Sequence, residues 1–258
     1  MAKAGIHFLG TGTSGGVPLI GCRCSVCSST DPRDNRLRSS ALVSVGDQRF
    51  TFDCGPDFRQ QMLRAGVTEL QSILMTHGHR DHTAGLDDIR SLNFMSGSPL
   101  KIYCDEATEM AIRSQFAYAF RTDVKSYVPQ MEFVRVSHTA FTMNGLRLQP
   151  LAVKHGTETI SCYRLGGLVY ITDASAIPEE TVRLARGAEI LVINALRAEP
   201  HYSHFTLNEA LDAAASIGAD RTYLIHMSHQ FGLHAEMEAK LPSGVYLAYD
   251  GLELEFDI

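Results

Sequence analysis

No stretch of this chain approaches the roughly 20 consecutive apolar residues that a membrane-spanning helix needs. Its first residues pass directly into the strand-like Ile6-His7-Phe8-Leu9 without the apolar region of a signal peptide. The cytoplasm is therefore the expected location, with no membrane partner. Blocks of basic residues are also missing: 23 Lys and Arg face 29 Asp and Glu, for a formal charge of -6. Without a cationic stripe to grip a phosphate backbone, long nucleic acid is not an expected partner. Low-complexity tracts, internal repeats and Pro/Gly/Ser-rich linkers are lacking too, so nothing marks a domain boundary. The 258 residues, 45% of them hydrophobic, fit a single domain spanning 1–258. Six cysteines are too unevenly placed for a disulfide framework, because three crowd into Cys22-Arg23-Cys24-Ser25-Val26-Cys27. That spacing suits one metal ion better than cross-links. Cys54, Cys104 and Cys162 stand alone in apolar runs and read as buried free thiols.

What is present is a succession of short apolar runs. Strands are expected over 40–45, 49–54, 72–76, 100–104, 132–137, 160–165, 168–172, 189–194, 222–226 and 245–249. Phe141-Thr142-Met143 and Leu146-Arg147-Leu148 flank Asn144-Gly145, a two-residue hairpin signal. Helical patterns lie over 57–65, 105–120, 178–186 and 206–217, the last opened by Thr206 and Glu209 as a capping box. Many strands with few helices in mixed order predict an α+β fold of two sheets packed face to face, with helices outside.

The densest chemistry lies in Thr76-His77-Gly78-His79-Arg80-Asp81-His82. Alternation puts His77 and His79 on one side of an extended segment, while Asp81 and His82 fall where the chain turns, so the group can face two adjacent ions. His155, Asp173 and His226 each end an apolar run, where a rigid strand holds a ligand in place. Asp53 ends another, before Gly55, where an aspartate reads as a turn former.

The His-x-His-x-Asp-His motif, with Gly10-Thr11-Gly12, Phe52-Asp53-Cys54-Gly55 and the later His155, Asp173 and His226, resembles the signature of the metallo-β-lactamase superfamily. The resemblance implies a four-layer αββα sandwich, with Asp53 as a support for the metal ligands in place of a mere turn former. It also implies a dinuclear site of divalent ions, with His77, His79 and His155 on one metal, Asp81, His82 and His226 on the other, and Asp173 between them. Imidazole and carboxylate ligands suit zinc, manganese and iron alike, so manganese or zinc is expected.

Cys22, Cys24 and Cys27 supply three thiolates of a tetrahedral zinc site, and His229, three residues beyond His226, is the candidate fourth ligand. This loop, together with His226, His229, Gln230 and Phe231 and the tail Leu241-Pro242-Ser243-Gly244, is similar to the PhnP-type phosphodiesterases of phosphonate breakdown. That similarity implies hydrolysis of a small phosphodiester, of the 5-phosphoribosyl 1,2-cyclic phosphate type, by a hydroxide held between the metals. It further implies a homodimer. Residues 57–62 and the 105–120 helix depart from that family, which leaves the sugar phosphate open.

His204, in the loop before the capped helix, is the candidate general acid for the departing alkoxide, acting as an imidazolium of near-neutral pKa; His201 is its local competitor. Asp81 joins it as a catalytic residue through its metal. Three other readings share the fold: a lactonase, thioesterase or β-lactamase, a tRNA 3'-processing nuclease, and a noncatalytic cofactor-pathway protein. The nuclease would need a basic arm, and the noncatalytic protein would have lost dinuclear ligands that are all present here.

Overall fold

Strand periodicity decides the layers. Ile6 and Phe8 of β1 (Lys3–Gly10), Ala41 and Val43 of β2 (Ser40–Val45), and Phe50 and Phe52 of β3 (Gln48–Phe52) point one way. There they meet Tyr163, Leu165, Tyr170, Ile190 and Val192 of a second sheet in one buried cluster. Leu9, Leu42 and Ile73 point the other way, into a separate cluster under helices. The computed structural model describes residues 2–123 and 127–258.

The first sheet continues with β4 (Ser72–Leu74), β5 (Leu100–Cys104) and β6 (Met131–Arg135). The second holds β7 (Phe141–Met143), β8 (Leu146–His155), β9 (Glu158–Leu165), β10 (Leu168–Tyr170), β11 (Ile190–Asn194), β12 (Arg221–Ile225) and β13 (Val245–Leu247). The last strand, β14 (Glu253–Asp257), returns to the first sheet and pairs antiparallel with β1. The strand orders are β14-β1-β2-β3-β4-β5-β6 and β13-β12-β11-β10-β9-β8-β7.

Each sheet is antiparallel at its start and parallel from β3 to β6 or from β10 to β13. Parallel neighbours require crossovers. Helices supply them: α1 (Phe58–Arg64), the pair α2 (Arg80–Thr83) and α3 (Arg90–Ser96), and α4 (Glu106–Gln115) in the first half. In the second half they are α5 (Glu179–Ala185), α6 (Leu207–Ile217) and α7 (His234–Glu238). Ala185, Ala210, Ala214 and Ile217 pack on Leu191, Ile193 and Leu224, closing the fourth layer. The expected αββα sandwich is the observed one. No described helix is long and apolar enough to cross a membrane.

Two sequence expectations change in detail, and a third is met. The helix over 105–120 stops at Gln115, where Phe116 adopts φ -115° and ψ 35°, and resumes as a 3-10 turn at Ala117–Phe120. The apolar runs 146–148 and 151–154 form one strand, β8, because Pro150 sits where the chain stays extended. The hairpin at Asn144-Gly145 forms with both residues at positive φ, 49° and 85°, as its two-residue loop requires.

Candidate functional site

Ligand-type side chains gather at one edge, where β3, β4, β10 and β12 end with parallel direction and β8 ends alongside. This is where parallel sheets carry their sites. Asp53 follows β3, His77 to His82 follow β4, His155 closes β8, Asp173 follows β10 and His226 follows β12. Three of these residues have left-handed backbones: Asp53 at φ 62°, Asp173 at φ 59° and His226 at φ 59°. Non-glycine residues enter that region at a cost of about 1–2 kcal/mol, tolerated where surrounding contacts enforce it.

The enforcing contacts are visible. Asp53 accepts from Thr76 N at 2.8 Å and from Thr76 Oγ1 at 2.9 Å, joining the ends of β3 and β4. Its neighbour Gly55 has no room for a side chain, since a Cβ there would lie 2.2 Å from the Asp81 carbonyl oxygen. That close approach seats the His82 loop against Asp53. After Asp173, Ala174 N donates to Asn194 Oδ1 at 2.7 Å and Asn194 Nδ2 donates to Ala174 O at 3.0 Å, a two-way clamp that fixes the turn.

The imidazoles are oriented through their Nδ1 atoms. His82 Nδ1 donates to Asp53 Oδ2 at 2.7 Å. Thr76 Oγ1 donates to Asp53 and accepts from His77 Nδ1 at 3.0 Å. His155 Nδ1 donates to the carbonyls of Asp173 at 2.7 Å and Ser203 at 2.9 Å. His226 Nδ1 lies 3.2 Å from Ser39 Oγ, which itself donates to Gly12 O, and 3.2 Å from Asp173 Oδ1. Each bond orients its ring and, in the neutral imidazole, leaves Nε2 as the nitrogen with the free lone pair.

Those Nε2 atoms have nowhere else to go. In His77, His82 and His226 they are buried without a hydrogen-bond partner, as is Nδ1 of His204. An unpaired buried polar atom is costly, and three of these, on His77, His82 and His204, stand within 4.0 Å of the Asp173 carboxylate, which makes the cluster a candidate cation site. His77, His79 and His155 form one group of mutually close ligand atoms, His77, His82 and Asp173 a second, and Asp81, Asp173 and His226 a third. The Asp173 carboxylate stands between them, with Oδ2 at 3.8 Å from His77 Nε2 and 3.3 Å from His82 Nε2. His82 Nε2 is also 3.3 Å from Asp81 Oδ2.

The electrostatics describe the same cage. Burial alone would lower the His82 pKa, but Asp173, Asp81 and Asp53 drive it well above the ordinary histidine value. Burial opposes ionisation of Asp173, yet His226 and His82 pull its pKa well below the carboxylate range. Burial, then His82, pushes His77 well below its usual value. The carboxylates thus stay ionised and demand positive charge.

His204 faces this centre and His201 does not. His204 Nδ1 is 4.0 Å from Asp173 Oδ2 and groups with His155 and Asp173. His201 Nδ1 turns to Ser203 at 3.3 Å. Burial, reinforced by His226, lowers the His204 pKa to about 3. An imidazolium of near-neutral pKa, expected from sequence, is therefore not the state of the ligand-free site.

The thiol cluster also assembles. Cys22, Cys24, Cys27 and His229 place their ligand atoms within 4.8 Å of one another. His229 Nδ1 is 3.4 Å from both Cys22 Sγ and Cys24 Sγ. The Cys27 backbone N–H, then His229, lowers the Cys24 pKa to about 6, while burial raises Cys27 to about 11. Three thiols and one imidazole fit tetrahedral zinc. Cys54, Cys104 and Cys162 are buried and free, as read from sequence.

Asn194, Thr76, Ser39 and Ser203 are the supporting residues that sequence reasoning missed. Only Thr76 stood beside a recognisable motif; the others are ordinary polar residues whose partners lie far along the chain.

Comparison with known proteins agrees with this geometry. The β-lactamase superfamily domain model matches residues 48–227. A solved structure described as a new diphosphatase from the PhnP family is 42% identical, with a TM-score of 0.93 over 98% of this chain and 97% of that one. An octanoyltransferase of Porphyromonas gingivalis is 38% identical over 97% of this chain, but the match covers 51% of that protein, so this chain spans about half its length. Coenzyme PQQ synthesis protein B of Methylorubrum extorquens is 25% identical over 97% of this chain and 99% of its own.

Proposed function

Given that this chain belongs to the metallo-β-lactamase superfamily of hydrolases, we propose that it hydrolyses small phosphodiesters. In this reading His77, His79 and His155 hold one divalent ion and Asp81, His82 and His226 a second, with Asp173 shared. Manganese and zinc both suit those ligands. The observation that carries the reading is the gathering of three unpartnered buried nitrogens, of His77, His82 and His204, within 4.0 Å of the Asp173 carboxylate. When bound, such ions lower the pKa of a coordinated water to roughly 7 and offset charge on phosphoryl oxygens. Two divalent ions outweigh Asp81 and Asp173, so the centre stays positive and attracts an anionic diester to a chain of net charge -6.

The chain's own residues do the remaining work. Asp53, Thr76 and Ser39 hold the tautomers that present Nε2, and Asn194 keeps Asp173 in its turn. His204 stands over the shared carboxylate and serves the leaving group. An anionic phosphoryl group beside it raises its pKa, so the proton is taken up with substrate and given to the departing alkoxide. Cys22, Cys24, Cys27 and His229 hold a structural zinc.

A second reading is hydrolysis of a diphosphate, favoured by the likeness to a PhnP-family diphosphatase. Its leaving phosphate departs with less help from an acid. The octanoyltransferase relative adds an acyl substrate to the assay. Protein reconstituted with manganese or with zinc should be offered bis(p-nitrophenyl) phosphate, a nucleoside diphosphate, nitrocefin, a homoserine lactone and an octanoyl thioester. Turnover of the phosphodiester is expected. Diphosphate cleavage alone selects the second reading, and carbonyl turnover without phosphorus–oxygen cleavage defeats both.

A further inference from the structure

His204 is held differently from the imidazoles around it. His77, His82, His155 and His226 each have a partner at Nδ1, whereas the His204 Nδ1 is buried without one among the described residues. Its main chain is pinned on both sides: Ser203 O accepts from His155 Nδ1 at 2.9 Å, and Phe205 N donates to Ala174 O at 2.8 Å. Those bonds leave the side-chain torsions free. The ring can therefore turn among its rotamers unless neighbouring groups block it.

Three other imidazoles pack against it. Centroid to centroid, His226 lies 4.8 Å away with the planes 22° apart, His155 4.9 Å away at 64° and His201 5.1 Å away at 38°. The first two belong to the proposed ligand set. His201 does not: its Nδ1 accepts from Ser203 N at 3.3 Å and lies 3.3 Å from Ser203 Oγ. It also stands on a stretch with little support of its own, since residues 198–202 make no backbone–backbone hydrogen bond among the described residues. Arg197 supplies the support. Its guanidinium, anchored on Gln230 Oε1 at 2.7 Å, donates to the carbonyls of Glu199 and Pro200, each at 3.3 Å. One planar fork thus holds the two carbonyls before His201, a span that the single ammonium of a lysine does not cover.

We propose that His201 is a positioning residue: its ring, fixed by Ser203 and by the Arg197 brace, confines the His204 imidazole beside the Asp173 carboxylate and transfers no proton itself. The proposal deepens the phosphodiesterase reading and rests on it for the role of His204. Confinement matters because a misplacement of about 1 Å can cost roughly 10²-fold in rate. A ring of similar breadth fills this role whether or not it titrates. A phenyl ring therefore separates confinement, which it can provide, from acid catalysis, which it cannot.

The test compares manganese-reconstituted wild type, His201→Ala and His201→Phe on glycerol 1,2-cyclic phosphate and bis(p-nitrophenyl) phosphate. In His201→Ala, kcat on the cyclic diester should fall about tenfold with KM unchanged, and kcat on the p-nitrophenyl diester should fall much less. His201→Phe should restore the wild-type kcat. In a His204→Ala background, His201→Ala should add no further loss, because the two residues act as one unit. Arg197→Lys should give the same split more weakly. A loss in His201→Phe as large as in His201→Ala overturns the proposal in favour of proton transfer by His201. A raised KM, equal losses on both substrates or no loss on either overturns it as well. If wild type cleaves neither diester, the phosphodiesterase reading has failed, and confinement is then read from crystal structures of the zinc-reconstituted variants. His204 should keep its wild-type rotamer in His201→Phe and leave it in His201→Ala; an unmoved ring in His201→Ala overturns the proposal.

Discussion

At the scale of single residues, the candidate ligand set was legible because a metal site restricts its side chains to a few types, and four of them lie within the six residues His77 to His82 just after β4. Their supports were not. A serine such as Ser39 or an asparagine such as Asn194 has many ordinary uses, and only folding brings Ser39 to His226 across 187 residues of chain. Asp53 was readable as either turn former or support, and it is both: its left-handed backbone makes the turn while its carboxylate holds His82. Asp81→Ala should lower turnover by orders of magnitude while far-ultraviolet circular dichroism stays native, because the close packing at this position is made by the Asp81 backbone carbonyl against Gly55, while the side chain pairs with His82 in the cluster. A folded variant with wild-type turnover would remove Asp81 from the centre. His204→Ala should cost about 10²-fold on an alkyl or cyclic diester and much less on a p-nitrophenyl diester, whose phenolate leaves without a proton. Equal losses on the two would assign His204 to phosphate binding instead.

Among elements, those with strong local signals formed where expected. The Thr206–Glu209 capping box is made in both directions, with Glu209 N donating to Thr206 Oγ1 at 3.2 Å and Thr206 N to Glu209 Oε2 at 2.8 Å. Thr206→Ala should therefore cost about 1 kcal/mol and lower Tm by roughly 2–4 °C. Because the cap directly follows His204 and Phe205, the same change should loosen the loop that carries them; an unaltered melting temperature would mean that α6 is held by packing alone. Elements with weak signals were harder to read. α7 spans five residues, too few to show a helical period, and β14 alternates Glu253, Leu254, Glu255 and Phe256 without a turn signal that announces a return to the first sheet. The break after Gln115 was invisible for a related reason: apolar residues continue through Phe120, and only the backbone of Phe116 shows the change to a tighter turn.

For the whole molecule, two halves of like design pack face to face, each antiparallel and then parallel, and the candidate centre lies where their strand ends come together. Such a site depends on what keeps the sheets in register. The buried inter-sheet core does most of this, with Phe52 stacked on Tyr170 at 4.4 Å. At the site's edge the joining is polar. Thr13 N donates to Met227 O and Met227 N donates to Thr11 O, each at 3.1 Å, linking the loop after β1 to the loop after β12. The thiol cluster joins the same two loops a second time, for Cys24 and His229 are 205 residues apart in sequence. A metal closing so long a loop acts on the entropy of the unfolded chain as well as by its own bonds. Cys24→Ser should therefore lose one equivalent of zinc per chain by elemental analysis and lower the melting temperature. The Thr13–Met227 contacts survive that change, so the fold and the position of His226 should survive too, and turnover should fall far less than in Asp81→Ala. Unchanged zinc content together with an unchanged melting temperature would show that Cys24 binds no metal. Loss of zinc with turnover as low as in Asp81→Ala would mean that the two centres depend on each other through the short segment from His226 to His229.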